Sequence, residues 1–318
     1  MITHPSNDEI KDFNYSKNGS FSLDTIKNDV LNLSYYYIND DEFSEIIFSI
    51  VRQNINGIRK IKLNGNEIAS KGLKVFLNYI KNFALVEELE LEDINLKSDC
   101  IHKQLFLNFK NLNYLKFLNL RSTNSNDFMM IELVKGLKNL EHLEHLDLGQ
   151  NEISDKGVRD LSEAFEKINH LKYLNLENNK ITHKGLNYIS NFLKYVMKLE
   201  YLNISYNDIN FDGFDILSQN LYLTKQLKQL IVNNNKMGSL GIKFLSGAFM
   251  HLHNLELLNV SQNEIEKEGC LPFADNIFHL INLRILIFEK NKIDDGMYII
   301  LSNLYIIKNL NTIIINSI

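Results

Sequence analysis

One segment pattern returns along this chain at a fixed interval. Six strict copies are LEHLDLGQNEI at Leu143, LKYLNLENNKI at Leu171, LEYLNISYNDI at Leu199, LKQLIVNNNKM at Leu227, LELLNVSQNEI at Leu255 and LRILIFEKNKI at Leu283. Each copy begins 28 residues after the one before it. A fixed interval of this length predicts a repeat architecture, in which every unit packs mainly on its two neighbours.

Less strict copies extend the pattern in both directions. They begin at Ile58 (IRKIKLNGNEI), Val86 (VEELELEDINL) and Leu115 (LKFLNLRSTNS), with a truncated copy, LNTIIINSI, at Leu310 and a weak first copy over Asn28–Ile38. We therefore predict a repeat domain over residues 28–318, with about ten units of 28 residues. Residues 1–27 are predicted to be a polar N-terminal leader or cap.

The alternation within each copy predicts a short strand followed by a turn and a helix. Leu146 and Leu148 are spaced so that both point to one face of a strand. Val158, Leu161 and Phe165 then follow at helical spacing and form a stripe that would face the sheet. A glycine precedes this stripe in most copies, where a helix would begin close to its neighbour. Equivalent strands should pair in parallel, about 4.8 Å apart.

The pattern resembles that of the leucine-rich repeat family, LxxLxLxxNxL, and the interval is similar to that of its ribonuclease-inhibitor-like subclass. The resemblance implies an α/β solenoid, a horseshoe with a concave parallel β-sheet and convex helices. In that family the Asn at the ninth position hydrogen-bonds the backbone of the turn, and successive Asn form a ladder. Here the ninth position is occupied by Asn66, Asn151, Asn179, Asn207, Asn235, Asn263 and Asn291.

Two neighbouring copies depart from this pattern at the ninth position. Ile94 stands there in the Val86 copy, and Thr123 stands there in the Leu115 copy. One interpretation is ordinary drift of a repeat sequence. The other is a locally altered loop on the rim of the solenoid that helps to form a binding site. Normal turns at both places would remove the second interpretation.

The third, fifth and seventh positions of each copy alternate with the core leucines and should therefore lie on the concave surface, the usual binding face in this family. They form an acidic zone (Glu88, Glu90, Glu92), an aromatic run (Phe117, His145, Tyr173, Tyr201) and an apolar C-terminal zone (Ile231, Leu257, Ile285, Ile287, Ile314). Arg121 is the one arginine among these positions. The predicted partner-binding residues are Phe117, His145, Tyr173, Tyr201, Glu88, Glu90, Glu92, Arg121, Leu257 and Ile285. The alternative is that Tyr and Ile are present because they favour strands.

Composition and motifs argue against several classes of function. The net charge is −5 and no Lys/Arg block occurs, which disfavours nucleic acid as a partner. No apolar run approaches the roughly 18–20 residues that cross a bilayer, so no membrane association is predicted. The two cysteines, Cys100 and Cys270, favour a reducing, cytoplasmic setting, and Cys270 is predicted to be a small core residue. No phosphate-binding loop, HExxH or paired CxxC motif occurs, and we predict no enzyme activity, metal or cofactor.

The predicted function is a non-enzymatic scaffold that binds another protein on its concave face. The chain looks like leucine-rich repeat effectors that intracellular bacterial pathogens deliver into host cells, which extends the expected location to a host cytoplasm. The alternative is a GTPase regulator, because this repeat subclass resembles the GTPase-activating protein for the nuclear-transport GTPase, and Arg121 is then the residue to mutate. The strand-like IIINSI segment near Leu310 also predicts an open sheet edge and self-association through it.

Tyr173 and Tyr201 are the predicted anchors for the partner, because tyrosine contributes a large contact area with little loss of entropy. Replacing both by Ala is expected to weaken binding of the partner. On the sequence alone, thermal stability should stay nearly unchanged, since both side chains are predicted to lie outside the core. A titration and a thermal melt of the double variant measure the two quantities, and an unchanged affinity would reject the hypothesis.

Overall fold

Short strands and helices alternate in a computed structural model that describes residues 26–97 and 101–315. The strands are β1 (Ile26–Lys27), β2 (Val30–Asn32), β3 (Lys60–Lys62), β4 (Glu88–Glu90), β5 (Phe117–Asn119), β6 (His145–Asp147), β7 (Tyr173–Asn175), β8 (Tyr201–Asn203), β9 (Gln229–Ile231), β10 (Leu257–Asn259), β11 (Ile285–Ile287) and β12 (Thr312–Ile314). The helices are α1 (Asp40–Arg52), α2 (Ser70–Asn78), α3 (Ile101–Asn108), α4 (Asp127–Leu137), α5 (Asp155–Ser162), α6 (His183–Phe192), α7 (Phe211–Ser218), α8 (Gly238–Gly247), α9 (Lys267–Ala274) and α10 (Met297–Leu304).

All twelve of these strands form a single sheet in chain order. Strands β2 to β12 are parallel and in register, so that Leu146 pairs with Leu174 and Leu174 pairs with Leu202. The first strand is antiparallel to β2, with Ile26 opposite Leu31. This arrangement confirms the predicted solenoid, with a sheet that is parallel from β2 to β12 and a helix after each of the strands β2 to β11. The predicted leader, residues 1–27, lies outside the described residues except for β1, and it stays a prediction.

The core lies between the sheet and the helices, and each unit supplies both sides of it. Leu174 and Leu176 of one strand segment are fully buried, as are Val158 and Leu161 of helix α5. Cys270 is also buried in this core, as its position in the repeat predicts, whereas Cys100 lies outside the described residues. Because each stripe is covered by the next unit, stability is distributed along the stack. Within the described residues, no helix combines the length and the apolarity that crossing a membrane requires.

The ninth-position Asn residues tie each turn to the preceding one, as the family resemblance implies. The Asn179 amide donates to the carbonyl oxygens of Leu148, Leu176 and Glu177 at 3.0, 3.2 and 3.2 Å. Its side-chain oxygen accepts the Ile153 N–H at 2.9 Å. One side chain therefore satisfies backbone groups in two successive units, in a part of the turn that strand pairing leaves open.

The turn at Thr123 is normal although the ladder asparagine is missing. The preceding residue, Ser122, has a φ of 56°, in the left-handed region. The Thr123 hydroxyl donates to the Leu120 carbonyl oxygen at 2.8 Å, and its N–H donates to the Asn151 side-chain oxygen at 3.1 Å. Threonine thus replaces one hydrogen bond of the missing amide and keeps the connection to the next unit.

The turn at Ile94 is also normal. Asp93, before it, has a φ of 61°, and the Ile94 N–H donates to the Leu91 carbonyl oxygen at 3.1 Å. The Ile94 side chain is fully buried, so it adds to the core where the other copies place an amide. Both turns keep the left-handed residue before the ninth position, which argues against an altered rim loop and supports ordinary drift; residues 98–100, which follow Ile94 in the same loop, lie outside the described residues.

An aspartate at the start of one helix reaches the start of the next. Asp127 accepts the N–H groups of Ser154 and Gly157 at 2.8 and 3.0 Å. A Cβ on Gly157 would lie 2.5 Å from that carboxylate oxygen, which explains the glycine at this position. The same bonds join Asp155 to Thr182 and Gly185 in the next unit. The recurring glycine therefore marks a close approach between units.

We expect Asn179→Ala to lower the free energy of unfolding by on the order of 2–4 kcal/mol, because it leaves buried turn carbonyls without their donor. Asn187→Ala, at an exposed position of helix α6, is the matched control and should change stability by only a few tenths of a kcal/mol. Chemical denaturation of both variants measures the difference. Equal midpoints for the two variants would contradict the structural role of the ladder.

Candidate functional site

The concave surface is formed by the side chains of β2 to β12 that alternate with the core leucines. Because the strands are in register, equivalent positions form rows that run across the sheet. In the third-position row, Phe117 pairs with His145, His145 with Tyr173, and Tyr173 with Tyr201. The register predicted from the sequence is confirmed, and it places these four side chains in consecutive strands.

These four side chains, which we call the aromatic row, form one continuous stack. The ring centroids are 3.8 Å apart for Phe117 and His145, 3.7 Å for His145 and Tyr173, and 4.1 Å for Tyr173 and Tyr201. The interplanar angles are 15°, 12° and 9°, so the rings are nearly parallel. Each side chain is half-buried. Since stacking covers the ring faces, the outer edges of the rings are what this surface presents.

Stacking also changes the stability expected after substitution of the two tyrosines. Tyr173 and Tyr201 contact each other, and Tyr173 also contacts His145. An aromatic pair contributes about 0.5–1.5 kcal/mol beyond its buried area. The double Ala variant should therefore lose some stability as well as affinity, and the expectation of nearly unchanged stability needs this correction.

Burial governs the ionisation of the aromatic row. It lowers the pKa of His145 to about 4, although the carboxylate of Glu88 acts in the opposite direction. Burial likewise raises the pKa of Tyr173 well above its ordinary value. The imidazole and the phenol are therefore neutral at neutral pH. The Asn203 amide donates to the Tyr201 hydroxyl at 3.4 Å, which helps to orient the last ring of the row.

The predicted acidic zone is partly neutralised by two lysines of the preceding unit. The Lys62 ammonium lies 2.7 Å from Glu88 and 2.6 Å from Glu90, and Lys60 lies 2.6 Å from Glu88. Burial by itself raises the pKa of Glu88, but hydrogen bonds from Glu90 and the two lysines outweigh it and hold that pKa at about 2. Burial and the neighbouring Glu88 raise the pKa of Glu90.

Arg121 extends across a whole unit to reach its main partner. One of its terminal nitrogens lies 2.9 Å from a Glu177 carboxylate oxygen, and its Nε lies 3.7 Å from Glu92. Gly149 stands between the two units, where a Cβ would be 2.5 Å from the Arg121 guanidinium. The absence of a side chain at Gly149 therefore makes room for this ion pair. Only 17% of the Arg121 side chain is exposed.

Asp147 is a buried carboxylate beside this ion pair. Its oxygens accept the Gly149 N–H at 2.8 Å and the Asn175 amide at 3.0 Å. Burial raises the pKa of Asp147, and only 7% of the residue is exposed. Asp147 and Glu177 were not among the partner-binding residues predicted from the sequence. The sequence could have indicated both residues, because they occupy the fifth- and seventh-position rows beside the aromatic row.

The apolar pair Leu257 and Ile285 lies on the same face, beyond the strand that follows the aromatic row. Leu257 pairs with Ile285 in neighbouring strands, and both side chains are half-buried. Gln229 of β9 separates Leu257 from Tyr201 in the third-position row. The structure therefore places all ten predicted residues on one surface, with the charged and aromatic residues together and the apolar pair apart from them.

Charges of opposite sign alternate along the rim at the start of the strands, which the repeat pattern alone did not predict. The second-position row contains Arg59, Glu87, Lys116, Glu144, Lys172, Glu200, Lys228, Glu256 and Arg284. Neighbours form ion pairs, for example Lys172 with Glu144 and Lys228 with Glu200, each at 2.8 Å. Exposed pairs of this kind add little stability each. Their effect is a nearly balanced rim beside a concave surface with excess carboxylates.

Comparison with known families gives one match. The family model described as "Leucine Rich repeat" matches residues 139–162, 167–190, 197–213 and 251–274. These segments lie within the strict copies and the helices that precede or follow them. A search of the curated proteins found no match. Within the described part of the chain, no group of three or more His, Cys, Asp or Glu side chains has a geometry that could hold a metal ion.

Two solved structures are similar to this chain at low identity. One is an internalin (inlF) from Listeria monocytogenes, 18% identical, covering 81% of this chain and 80% of that chain with a TM-score of 0.45. The other is a chain of the octameric complex of Latrophilin 3, Unc5D and FLRT2 (LRR), 20% identical, covering 82% of this chain and 75% of that chain with a TM-score of 0.49. At these levels neither similarity bears on function.

The neutral state of His145 predicts a specific pH dependence of stability. Since the folded-state pKa is about 4 and the ordinary value is 6.5, the unfolded chain takes up this proton at a higher pH than the folded chain. The stability that neutral His145 contributes is complete above pH 6.5 and is lost as the pH falls towards about 4. His145→Phe keeps a ring in the row without this titration.

We therefore expect His145→Phe to lose less stability than the wild type between about pH 7 and about pH 4.5. Urea denaturation at several pH values measures the difference between the two proteins. Tyr173→Phe, which leaves the imidazole in place, is the control and should follow the wild-type pH profile. Parallel profiles for His145→Phe and the wild type would show that His145 is not the titrating group.

Proposed function

Because this chain is a leucine-rich repeat solenoid, we propose that it is a non-enzymatic scaffold that binds another protein on its concave face, at the aromatic row. The observation that carries the proposal is the stack of four half-exposed rings on that face. The core is complete without them, since the alternate strand positions are filled by buried leucines such as Leu146 and Leu174.

The stack suits binding because it is ordered before a partner arrives. Each of the two middle rings, His145 and Tyr173, is held by a neighbour on both faces. Side chains that are already immobile lose little conformational entropy on association. Aromatic residues are also over-represented among the residues that contribute most to protein interfaces. We therefore propose Tyr173 and Tyr201 as anchors, with Phe117 and His145 completing the contact surface.

The remaining predicted residues flank this centre. Glu88, Glu90 and Glu92 lie on one side of the aromatic row, and Leu257 and Ile285 lie beyond Tyr201 on the other side. Arg121 contributes mainly by holding Glu92 and Glu177 near the row. Regulation of a GTPase through Arg121 has no comparable support, because this guanidinium is engaged in ion pairs within its own surface.

The setting of this interaction is also a proposal. The low cysteine content supports a cytoplasmic location, either in the cell that makes the protein or in a host cell to which it is delivered as an effector. Self-association through β12 likewise stays a prediction.

The proposal predicts which proteins the scaffold retains. The full chain and a variant with Phe117, Tyr173 and Tyr201 replaced by Ala are immobilised and exposed to a lysate of the native or host cell. A specific protein should be retained by the wild type and lost from the variant, because the anchor surface is gone. Its affinity, measured with the purified partner, should fall at least about tenfold.

The matched control replaces Tyr298 and Tyr305 by Ala, two tyrosines of the convex side that are 69% and 82% exposed. This variant should retain the same protein as the wild type. Thermal melts of all three proteins separate loss of binding from loss of folding. Retention of the same proteins by the wild type and by the variant of the aromatic row would reject the proposed site.

A further inference from the structure

Next to the aromatic row, the concave surface has more carboxylates than cations to pair with them. Lys60 and Lys62 are engaged by Glu88 and Glu90. This leaves three carboxylates, Glu92, Asp147 and Glu177, which we call the acidic pocket. Among the described residues, the cation that lies between them is Arg121, 2.9 Å from Glu177 and 3.7 Å from Glu92. The acidic pocket is therefore short of positive charge.

The shortage is costly because the acidic pocket is shielded from water. Burial raises the pKa of Glu92, and it raises that of Asp147 as well. Asp147 already accepts hydrogen bonds from Gly149 and Asn175, yet these donors carry no full charge. A cation brought in by a partner would interact here more strongly than on the exposed rim, since the local dielectric is lower. Because positive and negative charges alternate along the rim, the rim would not attract a cation as strongly as the acidic pocket does.

The opposite end of the same surface has no charge in two of its three rows. Across β9, β10 and β11, the third and fifth positions are Gln229, Ile231, Leu257, Asn259, Ile285 and Ile287. The apolar members, Ile231, Leu257, Ile285 and Ile287, are all half-exposed and lie in adjacent strands. We call these four residues the apolar floor. A contiguous apolar surface of this kind favours apolar side chains of a partner.

We infer that the partner presents one bipartite segment, with lysine or arginine side chains over the acidic pocket and apolar side chains over the apolar floor. The inference rests on the proposed function and names the chemistry that the concave site would recognise. The segment crosses the strands in a fixed direction, with its basic end towards β4 and its apolar end towards β11. The aromatic row, from β5 to β8, runs alongside the acidic pocket, whose residues belong to the units of β4, β6 and β7, and it ends on the strand next to the apolar floor.

The distance across the sheet sets the length of this segment. Seven strand intervals separate β4 from β11, and at about 4.8 Å each they span about 34 Å. A helix needs about 22 residues to cover this length at 1.5 Å per residue. An extended segment needs about ten residues. Both are ordinary lengths for a recognition segment, so one element of a partner is enough to reach both ends.

Selection from a display library of random peptides of about 25 residues, with the full chain as bait, tests the inference. Enriched peptides should combine a cluster of Lys or Arg with a separate apolar cluster. One enriched peptide is then synthesised and its affinity for variants is measured at low and at moderate salt.

Glu92→Gln with Asp147→Asn should weaken binding at least about tenfold at low salt and reduce its salt dependence. Asn occupies the position of Asp147 in β5, β7 and β8, so this change suits the fold.

Leu257→Ser with Ile285→Ser should weaken binding by a similar factor and leave the salt dependence unchanged, because only apolar contact is lost. Matched controls are Glu166→Gln, at an exposed position, and Leu271→Ser with Ile281→Ser, which are each 56% exposed on other surfaces. These controls should bind the peptide as the wild type does. Thermal melts of every variant confirm that the fold is retained.

Enrichment of acidic or purely apolar peptides would overturn the inference, as would a selection that enriches no peptide of the bipartite kind. Binding of a second copy of the chain in place of the peptide would also overturn it. The proposed function is judged separately by the lysate experiment. If a protein is lost on replacement of the aromatic row but is insensitive to changes in the acidic pocket and the apolar floor, the scaffold function stands and the bipartite inference fails.

Discussion

Each unit of this chain leaves its turn carbonyls and its apolar face uncovered, and only the adjacent unit can cover both. The ladder amide illustrates the point, because Asn179 donates to the carbonyls of its own turn and of the turn before it. The buried leucines pair across the same boundary, Leu146 with Leu174. Parallel pairing in register is therefore the constraint on which the core, the turns and the outer surface all depend.

The same register creates the candidate binding surface. Equivalent positions are brought within about 5 Å of each other, so any residue type that recurs becomes a continuous feature. Recurring aromatic side chains form a stack, from Phe117 to Tyr201. Within one unit, Glu88, Glu90 and Glu92 alternate with core residues and share the concave face, where burial raises the pKa of Glu90 and Glu92. Alternating charges, by contrast, cancel along the rim. The bipartite segment that we infer depends on this contrast between a nearly balanced rim and a concave face with excess carboxylates.

The fold tolerates exceptions where a local substitute exists. Thr123 provides a hydroxyl in place of an amide, and Ile94 provides apolar contact in place of hydrogen bonds. In both turns the preceding residue keeps its left-handed backbone, so the strand that follows stays in register. At the fifth position an Asn or Asp accepts the backbone N–H two residues on, as Asp147 does from Gly149 and Asn175 does from Glu177. The third positions face no such requirement, because they lie outside the core. They are free to differ from unit to unit, and they therefore carry what is specific to this chain.

The sequence by itself determined the interval, the strand register and the set of residues that share the concave face, because a strict 28-residue repeat maps each position onto one row. Only the tertiary structure decided how those side chains meet. Arg121 lies near Glu92 of the preceding unit and also reaches Glu177 two units ahead, because Gly149 leaves the space open. Ring tilt, ion pairing and burial depend on the separation of neighbouring units and on side-chain conformation. A one-dimensional pattern contains neither of these.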